Sequence, residues 1–210
     1  MRARLEGRRV VLEPLTAAHA DGLWRAAADP EVWRWMTTDA SASRAAFDSW
    51  IARALENAAT GLEAPFAVLS AADGRPLGST RYLALAPEHR RLEIGFTWLT
   101  RAAWATGANA EAKLLLLEHA FDRLGCLRVE FKTDARNVRA RRALEALPAR
   151  FEGIFRKHML VRGGTPRDSA WYAITDEEWP AVRENLHRRL HPPSPRGQEI
   201  EAGAPPPLPG

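Results

Sequence analysis

With 210 residues and 46% apolar content, the chain is long enough for one domain with a full core. Its 30 basic and 26 acidic residues are interspersed and leave a net charge of +4, which argues against the basic stripe of a dedicated nucleic-acid binder. One cysteine, Cys126, excludes an internal disulfide and a multi-cysteine metal site. The opening MRARLEGRR has no apolar run for a signal peptide or membrane span, so a soluble, cytoplasmic protein is expected.

In chain order, Gly7 to Leu15 reads as a first strand closed by Pro14. Thr16 then caps a helix from Ala17 to Ala28, which Asp29-Pro30 ends. The segment Glu31 to Met36, EVWRWM, carries two tryptophans between helices. Trp33 and Trp35 are read either as a plug on the core or as a wall of a substrate cleft. Ser41 or Ser43 caps a second helix, Arg44 to Ala59, stopped at Gly61. Pro65 to Ser70 and Leu77 to Leu85 read as strands joined by the tight turn Ala72-Asp73-Gly74.

The stretch from Arg91 to Phe121 organises the rest. It reads as a strand, Leu92 to Leu99, with Ile94, Phe96 and Trp98 on one side and Glu93, Gly95 and Thr97 on the other. A small-residue loop, Thr100 to Ala108, follows, and then a helix from Asn109 that is apolar on most of its surface and must be buried. Free N–H groups at such a helix start form an anion site, although an ordinary crossover would look the same. Leu127 to Thr133 alternates as a strand, parallel to Leu92–Leu99 by the right-handed crossover rule. Asn137 starts a short helix, Val138 to Leu147. A hairpin follows (Phe151–Leu160 and Ser169–Ile174 around Gly163-Gly164), and then a final helix from a capping box at Thr175–Glu178 to Leu190. Seven of the last 19 residues are proline, a composition expected to be disordered.

The segments EPL, DPEVWRWM, EIGFTWL, WATGANAEAKLLLLEHAF, Asn137 in DARNVRARRALEAL, EGIFRKHM, RDSAWYAIT and DEEW, in that order, resemble the GNAT N-acetyltransferases. The likeness is specifically to the subgroup that acetylates ribosomal-protein N-termini. It implies an α/β (α+β) fold: a mixed, mostly antiparallel sheet flanked by helices, with two splayed central parallel strands. Residues 1–191 would form the acetyltransferase domain and 192–210 a proline-rich tail. It also implies acetyl-CoA as donor. The pyrophosphate would be held by backbone N–H groups of a loop whose pattern is basic-or-Gln, two residues, Gly, one residue, Gly or Ala. Ala102, Ala105 and Gly107 occupy those three positions, with Thr106 and Ala108 beside them, so only Gly107 keeps the pattern. The pantetheine arm would meet Asn137, otherwise a helix cap, and the thioester carbonyl a backbone N–H near Trp98 or Leu99.

Acetyl transfer needs a neutral amine, hence a base or water relay. Glu93 is the first candidate base; its alternative is an ion pair with Arg91 or Arg128. Glu13, Glu152 and Asp168 are weaker candidates for binding a cationic amine. The tyrosine acid that many relatives carry seven residues after the Asn is Leu144 here, and Tyr172 is the nearest other phenol. Trp33, Trp35 and His158 are the substrate-binding candidates. No metal is expected, since no His pair shows ligand spacing with carboxylates. The acceptor is expected to be a protein N-terminal amine; a small amine (amino acid, polyamine or aminoglycoside) and a non-catalytic acyl-CoA-binding regulatory protein are the alternatives. Nucleic acid and membrane are not expected as partners, and a homodimer is one assembly that the exposed strand edges of this fold allow.

Overall fold

A computed structural model describes residues 3–191. The 192–210 stretch expected to be a disordered tail lies outside the described residues. Eight strands form one sheet in the order β1-β2-β3-β4-β5-β6-β8-β7. They are β1 Leu5–Glu6, β2 Val10–Pro14, β3 Ala64–Ser70, β4 Pro76–Ala86, β5 Arg91–Leu99, β6 Arg128–Asp134, β7 Arg150–Val161 and β8 Thr165–Thr175. The helices are α1 Ala20–Ala26, α2 Arg44–Ala59, α3 Ala108–Glu118, α4 Val138–Ala146 and α5 Trp179–Leu190.

Period-two alternation in β3 shows how the sheet makes two cores. Phe66 and Val68 join a cluster with Leu114, Leu116 and Leu117 of α3 and Leu186 of α5. Ala67 and Leu69, on the opposite face, join a second cluster with Leu23 of α1 and Phe47, Trp50 and Ile51 of α2. Both faces of the sheet are therefore covered, which a sheet apolar on both sides requires. The Ser43 hydroxyl accepts from Ala46 N, so of the two serines it is Ser43 that caps α2. The first helical segment differs from expectation: Ala17–His19 is a 3-10 turn and α1 begins at Ala20. The helix α3 runs on through a π-helical turn, His119–Arg123.

Every neighbouring strand pair is antiparallel except β5 with β6. That parallel pairing covers only Arg91↔Arg128, Leu92↔Val129 and Glu93↔Glu130. Beyond Glu93 the two strands part, giving the splayed fork that the family resemblance implies.

One sequence reading fails in β5. Leu92 and Ile94 lie in the α3-side cluster, but Trp98 lies in the α1/α2-side cluster. The cause is a bulge against β4 between the pairs Arg81↔Gly95 and Ser79↔Trp98, with Phe96 at a left-handed φ of 47°. One extra residue reverses the alternation, so Ile94 and Trp98 face opposite sides.

Candidate active site

The fork opens into a cleft of about 780 Å³. Its walls come mostly from β5, β6, α4, the first half of α3, the turn before α3 and the segment between α1 and α2, with residues of β4, β7, β8 and α5 completing them.

The turn before α3 has the geometry of an anion site. Gly107 sits at φ 88° and starts α3. The backbone angle favours glycine here, and an added Cβ would also crowd the Arg9 side chain, 3.1 Å from its Nε. Ala105 also has a left-handed φ of 60°. The loop thus keeps a glycine-type conformation at a position where this chain has alanine. Of the first-turn amides, Ala108 N donates to Thr106 Oγ1 (3.3 Å) and Glu111 N to Gly107 O (2.9 Å). Those of Asn109 and Ala110, two residues of the cleft wall, remain to face a ligand.

The loop predictions therefore divide. Trp98, Leu99, Ala105 and Gly107 line the cleft; Ala102, Thr106 and Ala108 do not. Ala102 sits in an exposed 3-10 turn. The Thr106 hydroxyl donates to Ala103 O (2.8 Å), and Ala108 is buried with its amide used by Thr106.

Two further cations line the cleft: Arg139, for which the sequence leaves open contact with the coenzyme's phosphates or plain solvation, and Arg189, which the sequence reading missed. The Arg139 guanidinium stacks 3.4 Å from the Trp104 ring centroid and lines the cleft; burial lowers its pKa from the ordinary arginine value. Arg189 of α5 lines it too, with one N–H on Ala146 O. Arg101, by contrast, pairs with Asp29 at 3.6 Å, and Arg141 donates to Tyr172 Oη (3.0 Å). Asn137 is buried, lines the cleft and caps α4, its Oδ1 accepting from Ala140 N at 3.1 Å.

At the fork itself, Glu93 is 2% exposed and accepts from Lys132 Nζ at 2.7 Å. Burial raises its carboxyl pKa, with Lys132 pulling it down, Glu130 adding to the rise and Arg167 opposing it. The pairing proposed with Arg91 or Arg128 goes to Glu130 instead, at 3.5 and 2.8 Å. Gly95 leaves room for this carboxylate: a Cβ there would come within 2.8 Å of Glu93 Oε1. Arg167, also buried, lines the cleft and donates to Ser169 Oγ. Lys113 of α3 reaches into the fork and donates from Nζ to Thr97 Oγ1 at 2.7 Å.

The two tryptophans separate. Trp35 lines the cleft, with Arg34 and Arg136 over its ring. Trp33 does not: it is fully buried between Trp50 and Trp98, its Nε1 donating to Ala27 O at 2.9 Å. Trp33 is thus a core plug, while Trp35 lines the cleft. His158 is absent from the cleft lining; its Nδ1 is 3.1 Å from Ser169 Oγ and its ring stands edge-on to Trp171. Leu144 lines the cleft where a phenol would be, and Tyr172 is a core residue bound to Arg141 and Glu145. Glu13 and Glu152 are taken by Arg4 and Arg128, and Asp168 by Lys157 N. Among the described residues no cluster of His, Cys, Asp and Glu could hold a metal ion, and no helix is long and apolar enough to cross a membrane.

A groove with two parted strand edges, free helix-start amides and arginines suits an extended ligand with amide groups and an anionic end. Comparison with known proteins gives the family. Residues 9–150 match the acetyltransferase (GNAT) domain, and the chain belongs to that family. A GCN5-related N-acetyltransferase from Brucella melitensis superposes with a TM-score of 0.85 at 35% identity, over 91% of this chain and 87% of that one. A provisionally assigned acetyltransferase from T. thermophilus gives a TM-score of 0.83 at 40% identity, over 91% and 98%. The uncharacterized N-acetyltransferase YoaA of Bacillus subtilis (strain 168) is 31% identical over 98 residues; the match spans about half of each, 47% of this chain and 54% of that relative.

Proposed function

We propose that the protein transfers acetyl from acetyl-CoA to the N-terminal amine of a peptide or protein, by direct attack of the amine on the thioester. Acetyl-CoA supplies the activated acetyl group. Gly107, the amides of Asn109 and Ala110, Arg139 and Arg189 would hold its phosphates, while the parted strand edges and Asn137 would hold its amide-bearing arm.

The charge of the cleft carries the choice of acceptor. Its lining has one carboxylate, Glu93, against Lys113, Lys132, Arg139, Arg167 and Arg189. A polyamine or aminoglycoside brings several positive charges and needs several carboxylates. A peptide N-terminus brings one, along with amides that pair with strand edges. Glu93 takes the proton from the bound ammonium, and the rise in its pKa from burial makes it a stronger base than an exposed carboxylate.

Thiol release from acetyl-CoA, measured with peptides of free N-terminus, single amino acids, polyamines and aminoglycosides, tests the reading. Peptides should turn over fastest. Faster turnover of a polyamine or aminoglycoside would overturn the acceptor assignment, and coenzyme binding with no turnover on any amine would overturn catalysis. In the same assay Glu93→Gln should lower turnover by about 100-fold or more, the lower end of the usual range for a lost base, with coenzyme affinity unchanged by calorimetry. Full turnover in that variant removes Glu93 as the base.

A further inference from the structure

We propose that Lys113 is a self-acetylation site: its amine takes the acetyl group from acetyl-CoA when no acceptor is bound, leaving a neutral amide in the strand fork. The inference rests on the reading above for its donor.

Only three of the chain's 30 basic side chains are lysine, at positions 113, 132 and 157. In so arginine-biased a chain the retained lysines are informative, because arginine is always charged and lysine is not. Two of the three, Lys113 and Lys132, line the cleft.

Lys113 lies on the buried face of α3 just before its Leu114–Leu117 run and is 7% exposed. Its Nζ donates to Thr97 Oγ1 on β5 at 2.7 Å and lies 5.7 Å from the Phe131 ring centroid on β6. The amine therefore bridges the two arms of the fork just past Glu93↔Glu130, where their pairing ends. The Glu93 carboxylate is occupied by Lys132, and no ion pair forms at Lys113 among the described residues. A buried ammonium held by a neutral hydroxyl is poorly compensated. Burial pushes this amine down to about 7, with Glu93 acting in the opposite sense. Near neutrality a large share of it is the free, nucleophilic base.

In the transfer, the Nζ lone pair attacks the thioester carbonyl carbon, a C–N bond forms and the C–S bond breaks. Coenzyme leaves as the thiolate, which takes the proton lost by the amine, directly or by way of Glu93. No further reactant is needed. The acetyl-lysine is longer and uncharged and fills the fork, so the event limits itself to one acetyl per chain.

The test incubates the full chain with acetyl-CoA and no acceptor, then measures intact mass, maps the three lysines and counts released thiol. Calorimetry on the same sample measures coenzyme binding. One acetyl at Lys113 with one equivalent of thiol is expected, and K113R should show neither. Exposed Lys157 reports chemical background: acetylation there to the same extent overturns the proposal. Coenzyme bound with Lys113 unmodified also overturns it and leaves the acetyltransferase reading standing. No coenzyme binding overturns both.

Discussion

Ala105 holds a left-handed backbone at φ 60°, a conformation that costs an L-residue about 1–2 kcal/mol and glycine nothing. The alanine at the position where the family pattern has glycine thus holds a conformation that favours glycine, and the loop carries the strain. Ala105→Gly should raise stability by about 0.5–1 kcal/mol, the strain relieved less the entropy glycine loses on folding. Urea unfolding of the two proteins measures it, and a loss of stability would mean that the alanine methyl makes contacts worth more than the strain. The sequence showed Ala105 as a departure but could not show that the φ angle survives it. Lys113 was more legible than it was read: a single lysine in a helix judged buried is a misplaced charge by composition alone. Its partner Thr97 and its place in the fork, however, depend on how far β5 and β6 part.

At the scale of elements, strand and helix periodicities placed nearly every segment, and the parallel β5–β6 pair followed from the crossover rule. The face of each β5 residue did not, because alternation carries no mark of a bulge. The bulge matters to the site: it sends Trp98 into the α1/α2-side core while Thr97 meets Lys113. Gly78 on β4 is a companion to it. A Cβ there would lie 2.0 Å from the Trp98 carbonyl oxygen and 2.8 Å from Leu99 Cα, both backbone atoms. Only glycine lets β4 and β5 approach so closely. Gly78→Ala must push the strands apart beside the bulge, and a loss of about 2–4 kcal/mol is expected, at the upper end for single substitutions. Thermal or urea unfolding reads the loss directly; a change within about 0.5 kcal/mol, as for an ordinary surface site, would show that the strands separate without resistance.

Across the whole molecule, the fold was legible because each segment is locally consistent with it, whereas the site depends on contacts between distant segments. Arg162 shows why such contacts escape a sequence reading. It sits at the tip of the β7–β8 hairpin, yet donates to Trp33 O at 3.0 Å, Arg34 O at 2.7 Å and Asp39 Oδ2 at 3.1 Å. Its bond to Arg34 spans 128 positions along the chain, and nothing in either segment announces it. The bonds tie the hairpin that carries Met159 to the connector that carries Trp35, Met36 and Thr37, so two walls of the cleft hold each other in place. Both elements are otherwise anchored: β7 along β8, and the connector through buried Val32, Trp33 and Ala40. Losing the clasp should free the wall locally without unfolding the protein. Charge-assisted hydrogen bonds of this kind contribute about 1.5–3 kcal/mol each, but a half-exposed arginine delivers the lower part of that range. Arg162→Ala should therefore speed amide hydrogen exchange across residues 34–39 by about tenfold, while the global unfolding midpoint moves little. Unchanged exchange in that segment would show that the connector is held by its buried residues alone, and a collapse of the midpoint would show that the clasp supports the fold rather than the wall.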